Sequence, residues 1–174
     1  MRRNTKLLIA RRLIFAFLIL ITHILQNSTD LVPTVFGARA FLLIPLAVCI
    51  AMFEKEVAGA LLGLFAGVLW DSVSGTADGY YTFFFMLIGA ACGFLINVLM
   101  RNHLLTALIL CTLTSLAFSA AYVLFFVVAG GVDSGGYLFL RYYLPSCVYT
   151  VLFVPLFYLL VREVMRRTAT EEEI

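Results

Sequence analysis

Residues 57–81, VAGALLGLFAGVLWDSVSGTADGYY, decide the fold. Gly59, Gly63, Gly67 and Asp71 recur at every fourth position, so on a helix they form one slowly drifting stripe that carries no bulk until it reaches a carboxylate. Val57, Leu61, Leu62, Leu64, Phe65, Val68, Leu69 and Trp70 fill most of the positions between them. The segment therefore reads as a helix that is apolar on its other faces and grooved on one. In lipid, where apolar side chains gain nothing by leaving the solvent, small residues are what let two helices approach closely. The groove calls for another helix, from this chain or from a partner. Asp71 either finds a specific structural partner or marks a solvated helix end, because the run after it (Ser72, Ser74, Gly75, Thr76, Gly79) is rich in turn formers.

Outward from this stretch the chain is apolar almost throughout. It has 174 residues, 63% hydrophobic and only 13% charged, with a mean hydropathy of +1.05. These values exclude a soluble domain and fit an all-α polytopic membrane protein. A bilayer core takes about 20 helical residues, with tolerance down to about 17. Six transmembrane helices are expected at about 11–29, 36–53, 57–71, 79–100, 104–129 and 142–161. They lie within a 11–165 membrane domain, preceded by a basic segment 1–10 and followed by a disordered tail 166–174. Spans two and three are short, and a re-entrant pair is the alternative for them. Glu54-Lys55-Glu56 between them reads as a tight helical hairpin.

Charge placement orients the bundle. With six crossings, Arg2, Arg3, Lys6, Arg11, Arg12, Lys55, Arg101, Arg162, Arg166 and Arg167 share one side and only Arg39 and Arg141 lie on the other. The positive-inside bias then predicts both termini to be cytoplasmic. A cleavable leader is not expected, because the first apolar run ends in Gln26, Asn27, Ser28, Thr29 and Asp30 in place of a small-residue cleavage site.

Little in the chain carries chemistry. Cys49, Cys92, Cys111 and Cys147 sit in apolar runs without metal-ligand or redox spacing and read as small buried hydrophobes. His23 stands alone on the first span and reads as hydrogen-bonded to a neighbour. The fourth span repeats the small-residue device with Gly89, Gly93 and Asn97, so spans three and four can pack groove to groove. Asn97 is then either an interhelical hydrogen-bond donor or a polar group at the span's end. Thr and Ser residues on span five bond their own helix and carry no signal. Pro145 and Pro155 on span six invite kinks. An outer cluster of Arg39, Asp78, Asp133 and Arg141, with Asp30 and Asp71, is the one place where polar groups can converge, as a structural network or as the lining of a shallow pocket. No nucleotide, metal or nucleophile motif is present, so neither an enzyme, a cofactor nor a nucleic-acid partner is expected. The basic ends should meet anionic lipid headgroups.

The glycines leading to an aspartate, a small-residue turn and a further glycine (Gly63, Gly67, Asp71, Gly75, Gly79), set in a chain with a basic N-terminus and six short-looped spans, resemble the MreD family of bacterial rod-shape-determining proteins. The likeness is motif-specific over about 59–97. It implies a non-enzymatic component of the inner-membrane elongation machinery that works with the bitopic protein MreC, alongside MreB, RodA and a class B penicillin-binding protein. The family is also similar in architecture to the S-components of energy-coupling-factor transporters, which implies an S-component-like bundle and supplies the alternative, a small-molecule-binding membrane protein. S-components often carry an AxxxA pattern on the first span. Here that span has Ala10 and Ala16 without the spacing.

Overall fold

A computed structural model describes residues 2–28, 39–75, 79–98, 102–128 and 135–168. Every regular element among them is helical: α1 (Arg2–Asn27), α2 (Leu43–Ser74), α3 (Tyr80–Val98), α4 (Leu104–Tyr122), α5 (Gly135–Leu138), α6 (Leu144–Leu152) and α7 (Val154–Arg167). One π-helical turn, Val123–Val128, extends α4 and another, Phe139–Tyr143, leads into α6.

α2 is two helices. Lys55 has φ 67° and ψ −179°, a backbone conformation suited to glycine, and the chain reverses there. In a continuous helix Ala51 and Gly59 would lie about 12 Å apart. Instead a Cβ placed on Gly59 would come within 3.0 Å of Ala51 Cα. The hairpin expected at Glu54-Lys55-Glu56 therefore forms, with arms 43–54 and 56–74.

The first arm is a shorter helix than the span expected at 36–53: residues 39–42 are not helical, and 36–38 lie outside the described residues. At 1.5 Å per residue it is about 18 Å long, well short of the ~30 Å hydrocarbon core. Every residue from Leu43 to Met52 is buried. A helix apolar on all sides is a core helix, and α1, the second arm of α2, α4 and α7 wrap this one. Its ends are closed by protein groups, as backbone at membrane depth requires. Phe41 N donates to Thr150 Oγ1 (2.9 Å) and Leu43 N to Gln26 Oε1 (3.0 Å) at one end, and Asn102 Nδ2 donates to Met52 O (3.3 Å) at the other.

Four helical segments are long and apolar enough to cross a membrane: Lys6–Asn27, Tyr80–Val98, Leu104–Val127 and, within Leu43–Ser74, the arm that follows the reversal at Lys55. A fifth crossing is made if Phe139–Leu152 and Val154–Arg167, which meet at 41°, act as one broken span. The bend lies two residues before Pro155, whose ring and missing N–H break the ladder. α7 continues to Arg167, so Arg166 and Arg167 are helical and not part of a tail; residues 169–174 lie outside the described residues.

Thr112 Oγ1 donates to Leu108 O (2.7 Å) and Ser115 Oγ to Thr112 O (3.1 Å), so these hydroxyls bond their own helix as expected, whereas the Ser119 hydroxyl joins the α4–α6 contact. Ser115 and Ser119 are fully buried, Cys147 Sγ lies 3.3 Å from Ser119 Oγ, and the same thiol donates to Ser115 O (3.4 Å). The remaining cysteines, Cys49, Cys92 and Cys111, are also buried and free. His23 pairs with Asn27 one turn on, whose Nδ2 lies 3.3 Å from the imidazole and donates to His23 O (2.9 Å).

Candidate functional site

The glycine stripe is occupied, and by this chain. The second arm of α2 and α3 run antiparallel with their grooves facing. A Cβ on Gly59 would lie 2.9 Å from Gly89 O, one on Gly67 2.5 Å from Tyr81 O and 2.7 Å from Thr82 N, and one on Gly93 2.6 Å from Glu56 N. A Cβ on Gly63 would press on Phe85 O and reach 3.0 Å from its carbonyl carbon, and one on Gly89 would press on Gly59 O. All of these neighbours are backbone atoms, which cannot rotate aside. Gly59, Gly63, Gly67, Gly89 and Gly93 thus form one continuous seam within the chain, with no room for a partner's helix.

Asp71 ends the seam by capping α3. Tyr81 N (3.3 Å) and Thr82 N (2.8 Å) donate to its carboxylate, and Thr82 Oγ1 makes a further, short bond to Oδ2. The first N–H groups of a helix have no partner of their own, and the positive end of its dipole favours an anion. Gly75 (φ 58°) and Gly79 (φ 82°) take the left-handed conformations that close α2 and reopen the chain as α3.

At the opposite end, Gly93 packs on the backbone of the Lys55 turn and Asn97 Nδ2 reaches Glu56 Oε2 at 3.4 Å. Glu54 is ion-paired with Arg11 of α1; the two side chains are 1% and 4% exposed, and Arg12 Nε approaches the second carboxylate oxygen at 3.6 Å. Tyr158 OH donates to Asn102 O at 3.3 Å beside them. A buried pair of this kind specifies how α1 meets the hairpin more than it stabilises it, because desolvating both charges offsets much of their attraction. Sequence reasoning read Arg11 only as part of a basic flank. An arginine and a glutamate 43 positions apart give no pairwise signal.

The expected polar cluster is not assembled among the described residues. Arg39 and Arg141 are both exposed, and Asp30, Asp78 and Asp133 lie outside the described residues. What converges at the Asp71 end is aromatic. Trp70 stacks on Tyr81 (centroids 4.9 Å, planes 5° apart) and lies 6.0 Å from Phe41 and 5.6 Å from Phe118. Tyr122 sits 6.3 Å from Tyr81 and 5.8 Å from Tyr143. These six rings line a recess of about 120 Å³. Tyr80 beside it donates its hydroxyl to Phe118 O at 3.1 Å.

A second feature lies on the flank. α3 and α4 are consecutive yet diverge, leaving an apolar groove of about 340 Å³ floored by Cys92 and Thr114 and edged by the exposed Ala91 and Ala117. Among the described residues no group of three or more His, Cys, Asp or Glu is placed to hold a metal.

The family model described as rod shape-determining protein MreD matches residues 6–167 of the chain. No curated protein and no solved structure matches it.

Proposed function

This multi-pass membrane protein belongs to the MreD family and so has a role in rod shape determination; from that premise we propose that it acts as a non-enzymatic scaffold of the inner-membrane elongation machinery, with MreC as its direct partner and MreB, RodA and a class B penicillin-binding protein in the wider assembly. The proposed topology keeps both termini in the cytoplasm, which puts the Glu54 end inside and the Asp71 end outside.

The α3–α4 groove carries the reading. With the glycine seam closed, the groove is an apolar cleft between two diverging helices in which Ala91, Cys92, Thr114 and Ala117 interrupt larger apolar side chains. Lipid-facing small residues are what a partner's membrane helix needs to approach backbone closely. MreC has one such helix, and we assign the groove to it, with the external part of MreC over the Asp71 end.

The test is co-purification with MreC from detergent. Ala91→Leu and Ala117→Leu project into the groove from exposed positions and should abolish co-elution while leaving thermal stability intact. Wild-type recovery of MreC by both variants would remove the groove from the interface.

A further inference from the structure

We propose that the aromatic recess at the Asp71 end binds the ammonium head of a small organic cation. The recess is walled by Phe41, Trp70, Tyr81, Phe118, Tyr122 and Tyr143, contributed by the entry to α2, the end of α2, the start of α3, the end of α4 and the turn before α6. Among the described residues no aliphatic and no charged side chain lines it. Six aromatic rings border a space of about 120 Å³, enough for a group the size of a tetramethylammonium and too small for a bulky ring system.

The recess opens to the surface where five segments converge. Its chemistry is selective. An apolar guest would be served as well by leucine walls, whereas a cation held within about 6 Å of several ring centroids gains from each quadrupole, the more so where water is excluded. Tyr81, Tyr122 and Tyr143, three of the lining residues, each carry a phenolic hydroxyl that can act as an acceptor. The Asp71 carboxylate, held at the first turn of α3 by Tyr81 N, adds negative potential next to the box. The two arginines near this end, Arg39 and Arg141, are exposed and do not line it.

The same chemistry has two sources: a free ammonium compound, or the ethanolamine head of a lipid in the adjoining leaflet. A lipid has a place for its chains, because an apolar groove of about 570 Å³ lined by Tyr80, Phe83, Phe84, Ala121, Phe125 and Phe126 opens beside the aromatic cluster.

Trp70 is the chain's single tryptophan, so its emission reports this recess alone. The full chain in phosphatidylglycerol nanodiscs is titrated with choline and, in parallel, with its neutral isostere 3,3-dimethyl-1-butanol. Choline should change Trp70 emission saturably and the isostere should not. Tyr143→Leu should weaken choline binding about fivefold, the loss of one exposed cation–π contact, while Tyr143→Phe keeps the ring and the affinity. Adding phosphatidylethanolamine to the nanodiscs distinguishes the sources: a weaker apparent choline affinity identifies the lipid head as occupant, and an unchanged one identifies a free ammonium compound. No saturable response to choline, or an equal response to the isostere, overturns the proposal.

Discussion

Replacing Gly67 by alanine tests whether the glycine seam holds the fold. The added Cβ would lie 2.5 Å from Tyr81 O and 2.7 Å from Thr82 N, whereas ordinary contact begins at about 3.4 Å, so α2 and α3 must part locally by about 1 Å. A gap of that size forfeits a quarter to a half of each dispersion contact along the seam, and overpacking in well-packed interiors costs about 1–3 kcal/mol. The same separation lengthens the 2.8 Å bond from Thr82 N to Asp71, a loss of about 1 kcal/mol more. Alanine returns up to about 1 kcal/mol of helix propensity. The balance is a destabilisation of about 1–3 kcal/mol, or about 3–10 °C in the unfolding midpoint for a chain of this size. Trp70 stacks on Tyr81 at the same rung, so the melt is read in detergent from its fluorescence. Gly136, with open space around its Cα, is the control, and Gly136→Ala should leave the midpoint within error. A Gly67→Ala protein that melts at or above the wild-type temperature would refute the steric reading of the seam.

Asp71→Ala leaves Thr82 N and Tyr81 N without their acceptor and should cost about 0.5–2 kcal/mol in the same melt, with Asp71→Asn intermediate because it keeps an acceptor but not the charge. Lys55→Gly removes a side chain from a conformation that glycine adopts freely and should raise the midpoint by the equivalent of about 1 kcal/mol; Lys55→Ala, which keeps the strain, should not. Glu54→Gln removes the negative charge that faces the buried Arg11 guanidinium and should cost about 3–5 kcal/mol, while Arg11→Met with Glu54→Leu removes both charges and should recover most of the loss in a double-mutant cycle.

The sequence carried the seam because its signal is local: a period of four in small residues on two neighbouring helices marks where two backbones can touch. It did not say which helices would touch, since a stripe of glycine fits a partner's helix as well as its neighbour in the chain. The hairpin was legible from Glu54-Lys55-Glu56, charges that cannot lie at membrane depth without a turn or a partner. The short first arm of α2 was not. Hydropathy reads its uniform apolarity as a lipid-facing span, and only the packing of α1, α4 and α7 shows that those side chains face protein. The aromatic recess was invisible for a different reason. Its six rings come from five segments spread over a hundred residues, each unremarkable where it stands, and tyrosines near span ends read as interface anchors.

The two kinds of contact divide the bundle mechanically. The second arm of α2 and α3 are joined along their length by backbone-to-backbone approach, pinned at one end by Asp71 and at the other by Gly93 on the Lys55 turn, so they move as one body. α4 and α6, joined by buried hydroxyl and thiol contacts, form a second body with α7 packed against them, and both bodies rest on the buried arm of α2. The two groups diverge along the α3–α4 groove and meet again at the Asp71 end, where Tyr80 OH donates to Phe118 O. On the scaffold reading, a helix seated there touches both bodies at once and fixes their relative position, which neither body's internal packing does. The aromatic recess lies across the same division, with Trp70 and Tyr81 on one body and Phe118, Tyr122 and Tyr143 on the other. A partner in the groove and a cation in the recess are therefore coupled if the bodies shift, and by linkage each must change the affinity of the other by the same factor. Choline titrations with and without MreC measure that factor directly; equal affinities would show that the division between the bodies does not move when the partner binds.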